Sequence, residues 1–381
     1  MRIGVIGGGP AGLYFALLMK ARDRRHEIHV MEQNPPEATY GWGLVFAAPT
    51  LRLLADSDAE FYADLRQDCA ELDTMEIGHR GVRVPVKGNR WARVSRIAML
   101  ATLQRHCRQR GVKIEFQARA EDVDAFSGFD LVVVADGVAS AIRAKHADWF
   151  EPSFERYRNK FAWYGTTALI PALSLIFRQS EHGIFIAHCY QYSPTHSTFL
   201  VECDPQAWIR AGLDHLSDEE SLRYCERVFR DDLGGHALLS NKSSWFNAAI
   251  IRNRHWSRGN VVLLGDALRT VHFSIGSGTR MALADSIALA EALARCGDDV
   301  AAGLQEFSVL RRPGSDDFQE SAVKSILWYE NVADIFHLDP LAFAYSYFRR
   351  TGKMSHEDLR RMDPAFIASY EAAHGAPSPA G

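Results

Sequence analysis

Three glycines near the start of the chain, Gly7, Gly9 and Gly12, carry the spacing G-x-G-x-x-G, with Pro10 and Ala11 between the second and third. Between a strand and a helix, this spacing serves anion binding. The missing side chains let backbone N–H groups close on a pyrophosphate held at the helix N-terminus. The run RIGVI ahead of the glycines reads as a strand, and LYFALLMKA after them reads as a helix. A second strand-like run, EIHVME, ends at Glu32 and is followed by Gln33. A carboxylate at about this distance beyond the last glycine can accept hydrogen bonds from ribose hydroxyls. These residues predict a site for the ADP half of FAD or NAD(P) and do not choose between the two.

Two further stretches bear on that choice. DLVVVADGVASAIR, residues 130–143, runs from a buried-type strand into Asp136-Gly137 and on to Arg143. VVLLGDALRTVHFSIGSG, residues 261–278, brings Gly265-Asp266 to the end of another strand, followed by a second glycine turn, Gly276-Ser277-Gly278-Thr279. That turn opens RMALADSIALAEALA, whose apolar positions recur at helical spacing. With these three motifs in this order, the chain resembles flavoprotein aromatic hydroxylases of the para-hydroxybenzoate hydroxylase type. The resemblance implies an α/β architecture: a Rossmann-like FAD-binding domain, an inserted antiparallel-sheet substrate domain and C-terminal helices. It implies FAD as resident cofactor, with Asp266 on a ribityl hydroxyl. It also implies that Arg96, which opens the helical run RIAMLATLQRHC, works against the phosphates or ribityl chain. With one complete dinucleotide fingerprint, NADH or NADPH is expected to bind transiently as reductant and O2 to be the co-substrate. An oxygen atom then reaches an electron-rich ring through a C4a-hydroperoxyflavin.

A narrower resemblance rests on HFSIGSGTRMAL, where Phe273 stands at a position usually held by proline in the wider group. This version, with GWGLVF (41–46), STFLVE (197–202) and WYENV (328–332), is similar to salicyloyl-CoA 5-hydroxylases and to the monooxygenase portion of 2-aminobenzoyl-CoA monooxygenase/reductases. RNKFAWYGT (158–166) and IAHCYQYS (186–193) are equally similar to the violacein-pathway hydroxylase, which acts on a tryptophan-derived bisindole. The expected substrate is therefore a small aromatic molecule, either a CoA thioester or an indolic compound. The long reductase portion of the aminobenzoyl-CoA enzymes is missing from this sequence, so a stand-alone hydroxylase is expected.

The elements that must position these residues follow from pattern. Residues 1–72, 96–150 and 255–300 are expected to form the discontinuous cofactor domain. Residues 73–95 and 151–254, rich in alternating runs, are expected to form a sheet covering the flavin's reactive end. Residues 301–373 read as helical and 374–381 as a disordered tail. On the covering sheet, His188 and Tyr190 share a face by alternation. With His272, which precedes the flavin loop, they are the candidates for accepting a proton from a phenol or aniline substrate. Trp42, Trp163, Tyr164, His196 and Phe273 are candidates for the walls of an aromatic pocket. A zinc site from His182, His188 and His196 matches no ligand spacing, so no metal is expected.

The bulk numbers narrow the class of partner. Across 381 residues with 24% charged and a formal net charge of −4, the positive residues are scattered, without the basic stripe that a nucleic-acid partner requires. Six cysteines without C-x-x-C spacing point to a reducing cytoplasm, and no apolar run is long enough to span a bilayer. The competing class of reading is a flavin-binding protein without catalysis, whose NAD(P)H consumption would not respond to an aromatic substrate.

Overall fold

The computed structural model describes residues 1–38, 41–276 and 278–376. Ser277 of the second glycine turn and residues 377–381 of the expected tail lie outside the described residues, and the helix Pro364–His374 runs into the tail's first position.

The N-terminal strand Arg2–Ile6 is the centre of a six-stranded sheet. It pairs in parallel with Glu27–Glu32 on one side and Leu131–Val134 on the other. Val261–Leu263 extends the sheet beyond Leu131–Val134, and Lys113–Phe116 extends it beyond Glu27–Glu32, both also in parallel. All four residues of Leu131–Val134 are buried, as expected of a parallel strand with both faces covered. Each glycine or aspartate motif lies at the carboxyl end of one of these strands, where open α/β sheets bind ligands. The helices Pro10–Arg22 and Gly278–Arg295 pack side by side over the sheet, tied by the Ser286 hydroxyl donating to the carbonyl of Ala11 at 2.9 Å.

A second sheet has its core in the antiparallel strands Pro152–Thr166, Ser197–Cys203, Gly183–Gln191 and Leu173–Ser180. Phe246–Asn253 pairs with Pro152–Thr166 across a register shift, and Met75–His79 joins the far side in parallel to Leu173–Ser180. Trp91–Ser95, expected with this sheet, instead pairs with Gly43–Ala47 and Ala70–Leu72 in a separate three-stranded sheet.

Strand alternation gives the covering sheet two different faces. Ala162, Tyr164, Phe185, Ala187, Cys189, Phe199 and Val201 pack under the helices of residues 205–233. Ile186, Leu175 and Phe177, on the other face, pack with the C-terminal aromatic residues Tyr329, Phe343 and Tyr347. Beside them on that face, Phe161, Trp163 and Leu200 meet Phe273 of the flavin loop.

Candidate active site

The cofactor cleft is built mainly from backbone. Gly7 has φ +109, and a Cβ there would stand 2.3 Å from the Ala135 carbonyl oxygen, so the turn requires glycine. Gly9, by contrast, borders open space, and no side chain caps the N-terminus of Pro10–Arg22. The first-turn N–H groups of that helix are therefore available to an anion. The Gly8 N–H donates to Glu32 Oε2 at 2.7 Å, while Glu32 Oε1 accepts from the Asn34 backbone and side chain. This fixes the carboxylate at the mouth of the strand, with Gln33 next to it. Gly137, Gly276 and Gly278 also face open space, and Gly265 packs against Ala11 so closely that a Cβ would come within 2.8 Å of it. The two glycine turns thus converge on one cleft, with Thr279 in the first turn of the second helix.

Polar groups left without partners mark the length of the cleft. Arg96 Nε and Asp136 Oδ1 are buried and make no hydrogen bond among the described residues. Asp266 is accessible from the cleft, yet enclosed by protein; burial raises its carboxyl above the usual range, opposed chiefly by the charge of Arg96. Burial lowers Arg96, with Asp266 opposing. A half-satisfied arginine and aspartate that need polar partners, beside helix N-termini with bare N–H groups, fit a long dinucleotide with phosphates and a hydroxylated chain. Arg143 has a different role from the expected cofactor contact. Its guanidinium donates to the carbonyls of Ala267 at 2.9 Å and Val138 at 2.6 Å, so it ties the Asp136-Gly137 loop to the Gly265-Asp266 loop.

The substrate candidates fall into several groups. Trp163 donates from Nε1 to Thr198 Oγ1 at 2.6 Å and packs with Phe161, Leu200, Ala248 and Phe273. Phe161 and Phe273 meet edge to face at 4.5 Å, and Phe246 adds a third ring. Trp42 lies against Gly165, its Nε1 buried without a partner. Tyr164 does not join this wall: adjacent residues on a strand point to opposite faces, and its ring is buried in the cluster under the helices of residues 205–233. His196 lies in the turn before Ser197–Cys203, not on a strand, and neighbours Tyr192, whose ring stands 6.5 Å from both His196 and Trp42.

The proton-acceptor candidates also separate. Tyr190 donates its hydroxyl to the Gly43 carbonyl at 2.8 Å, and burial raises its pKa, so it anchors a strand and is not free to take a proton. His272 is buried, and its Nδ1 accepts from the Ser274 N–H at 3.2 Å and pairs with the Ser274 hydroxyl at 2.7 Å. Burial depresses its pKa to about 3, with His188 and Arg350 adding to the effect. With Nδ1 accepting from the Ser274 N–H, the ring proton falls on Nε2, which has no partner among the described residues, and this burial and bonding count against His272 as the base. His188 bonds through Nε2 to Glu202 Oε2 at 2.8 Å. Sequence reasoning passed over Glu202, Asn159, Phe161, Phe246 and Tyr329. Strand parity in STFLVE could have shown Glu202 on the His188 face.

Comparisons with known proteins agree with this geometry. Residues 129–315 match the family model described as an FAD binding domain. The chain is 38% identical to a salicyloyl-CoA 5-hydroxylase from a Streptomyces species, over 98% of this chain and 75% of that protein. The chain belongs to the FAD-dependent aromatic hydroxylases. Two further members of this family are each 35% identical. One is a protodeoxyviolaceinate monooxygenase of Chromobacterium violaceum, matched over 92% of this chain and 94% of that one. The other is a 3-hydroxy-4-methyl-anthranilyl-[aryl-carrier protein] 5-monooxygenase of Streptosporangium sibiricum, matched over 94% and 97%. The fold is shared with p-nitrophenol 4-monooxygenase of Pseudomonas putida at TM-score 0.74 and 18% identity, covering 98% of both chains. This hydroxylase is accordingly a monooxygenase that uses FAD, NAD(P)H and O2, not a non-catalytic flavin-binding protein. No helix among the described residues is long and apolar enough to cross a membrane.

Proposed function

We propose that this flavoenzyme hydroxylates an electron-rich ring whose carboxyl group is masked as a thioester: an ortho-substituted benzoyl-CoA such as salicyloyl-CoA, oxidised at C5. The observation that carries the reading is the charge of the pocket. Phe161, Trp163, Leu200, Phe246, Ala248 and Phe273 form an aromatic and aliphatic wall. The two arginines that reach it are both committed. Arg96, which has no hydrogen-bond partner of its own among the described residues, is assigned in this reading to FAD beside Asp266, and Arg350 donates to Ser325 Oγ and to the carbonyls of Tyr347 and Ser274. A free benzoate would enter without the bidentate guanidinium that carboxylates favour, at a desolvation cost that a neutral thioester avoids. Two relatives, named for salicyloyl-CoA and for an anthranilyl carrier-protein substrate, support the same class. Both names place oxygenation at C5, para to a ring hydroxyl or amino group, where that group's electron donation is greatest.

In this reading Gly7 to Gly12, Glu32, Gln33, Arg96, Asp136, Gly137, Gly265, Asp266, Gly276, Gly278 and Thr279 hold FAD. Residues 1–72, 91–150 and 255–300 serve it, with Trp91–Ser95 joined to Gly43–Ala47 and Ala70–Leu72, and residues 73–90 and 151–254 serve the substrate. When bound, the flavin contributes redox chemistry: hydride acceptance from NAD(P)H and activation of O2. The chain's own task is to orient the ring, exclude water and manage the substrate proton. A cytoplasmic setting, with a supply of NAD(P)H and CoA, fits its six free cysteines.

A second reading, hydroxylation of a tryptophan-derived indolic intermediate, is favoured by the near-complete mutual coverage with the Chromobacterium violaceum relative. The test is NADH and NADPH oxidation by the FAD-loaded protein with salicyloyl-CoA, free salicylate or an indolic compound, with products weighed by mass spectrometry. Stimulation by the thioester with a product heavier by one oxygen is expected. Stimulation by the indolic compound alone would transfer the protein to the second reading, and stimulation by free salicylate alone would refute the masked-carboxyl argument.

A further inference from the structure

Glu202 is 1% exposed in the middle of Ser197–Cys203, on the sheet face that carries Leu200 and His188. Its two oxygens are each matched to one donor. Oε2 receives His188 Nε2 at 2.8 Å, and Oε1 receives Asn159 Nδ2 at 2.7 Å. Strand register sets Ile186, not His188, directly opposite Glu202, so the His188 bond runs diagonally across the hairpin. A buried carboxylate is costly unless its charge is answered, and among the described residues no arginine or lysine pairs with this one. A carboxylate accepts only, so Nε2 carries the ring proton and Nδ1 keeps its lone pair. Among the described residues nothing hydrogen-bonds to Nδ1, and the His188 side chain is 12% accessible, beside Phe273 with ring centroids 6.4 Å apart.

Resting on the reading of this enzyme as a hydroxylase of a phenolic or anilinic ring, we propose that His188 Nδ1 accepts the proton of the substrate's ring hydroxyl and that Glu202, braced by Asn159, is the positioning residue that makes Nδ1 the acceptor. In this step the substrate O–H bond breaks, its electron pair stays on oxygen, and an N–H bond forms at Nδ1. Nε2–H remains with Glu202, whose negative charge offsets the imidazolium. No oxidation occurs in the step, and the electron density gained by the ring enters the para position, where oxygen is to be delivered. The groups that face His188 are Glu202 on the neighbouring strand, His272 and, behind it, Arg350 beside the flavin loop, Tyr329 from the helix Val300–Glu330, and Tyr190 along its own strand. Of these Glu202 alone is positioned to stabilise a positive ring. The neighbouring His272 carries its proton on the same nitrogen, Nε2, but its Nδ1 is occupied by the Ser274 N–H and is not open to a substrate.

The test compares His188→Gln, Glu202→Gln and Glu202→Asp with the unmodified holoenzyme. Flavin absorbance per protein checks folding, and the rate and yield of hydroxylated product are followed from pH 6 to pH 10 with salicyloyl-CoA. Loss of a general base is worth about 10²–10⁴-fold, and loss of the residue that orients it about 10–100-fold. In His188→Gln the rate should fall by at least about 100-fold near neutrality and recover as pH rises, because the substrate's own ionisation then replaces the base. Glu202→Gln should lower the rate about 10–100-fold, and Glu202→Asp should restore part of it. If Glu202→Gln fails to bind flavin, the pH profile of His188→Gln decides alone. A flavin-loaded His188→Gln enzyme with an unmodified rate and profile overturns the proposal and leaves the hydroxylase reading intact. An unmodified enzyme that hydroxylates no phenolic or anilinic thioester removes that reading, and this proposal with it.

Discussion

The cofactor cleft and the active face of the covering sheet solve their binding problems by different means. The cleft uses main chain: bare glycines, helix N-termini and strand ends, with two charged side chains facing each other across it. The covering sheet uses side chains, paired diagonally between strands and separated by parity into one face that works and one that packs. The contrast implies that damage to the first should act through backbone geometry and damage to the second through individual contacts.

The largest effect is expected at Gly12, where a Cβ would stand 2.2 Å from the Gly7 carbonyl oxygen. Gly12→Ala should cost about 3 kcal/mol or more through forced backbone displacement, and should yield protein without bound flavin, measured by absorbance after gel filtration. Arg143→Met comes next. Removing a buried guanidinium that binds two carbonyls costs about 1.5–3 kcal/mol for hydrogen bonds to a charged group. FAD affinity should fall about tenfold or more while secondary structure is kept, measured by flavin titration and circular dichroism.

Two neighbouring residues on one strand then test the face assignment directly. Trp163→Leu should raise the KM for the aromatic substrate about tenfold, through loss of stacking area and of the Thr198 bond. Tyr164→Phe removes a buried hydroxyl whose polar neighbour is the weakly bonding Cys225 thiol, so stability should change by about 0.5 kcal/mol or less and kcat/KM should be unchanged. Equal loss of hydroxylation in both variants would break the division into two faces. The last test concerns pH and His272. Its folded pKa, about 3, lies below the ordinary histidine value, so the unfolded chain binds the extra proton first on acidification. Stability from the neutral ring is full above about pH 6.5 and is lost as pH falls toward about 3, by at most about 1.4 kcal/mol per unit. Acid titration of unfolding in His272→Gln should show a correspondingly shallower decline.

The same contrast explains what could be read from sequence. Gly7, Gly9, Gly12, Asp136 and Asp266 could be proposed as cofactor residues from sequence because main-chain chemistry tolerates few residue types at fixed spacing, and a strand before each motif is visible as an apolar run. The covering sheet was legible as a sheet and less so as a site. Trp163 and Tyr164 were grouped by aromatic character, although neighbours on a strand cannot share a face. Tyr190 shares the face of His188 as parity required, but its hydroxyl bond to Gly43 joins segments 147 residues apart, a distance no local pattern reports. Arg143 carried a motif's expected role while its donors were committed to two carbonyls, one of them, on Ala267, more than 100 residues away. Glu202 was hidden because a lone glutamate in an apolar strand acquires meaning from its cross-strand partner.

The central claim is that the pocket accepts a ring with its carboxyl group masked. The most direct measurement is the amount of hydroxylated product per NAD(P)H consumed by the FAD-loaded enzyme, with salicyloyl-CoA and with free salicylate at equal concentration. The account predicts tightly coupled product from the thioester, and from the free acid either no stimulation or NAD(P)H consumption without product. Equal coupling with the free acid, or a preference for it, would contradict it.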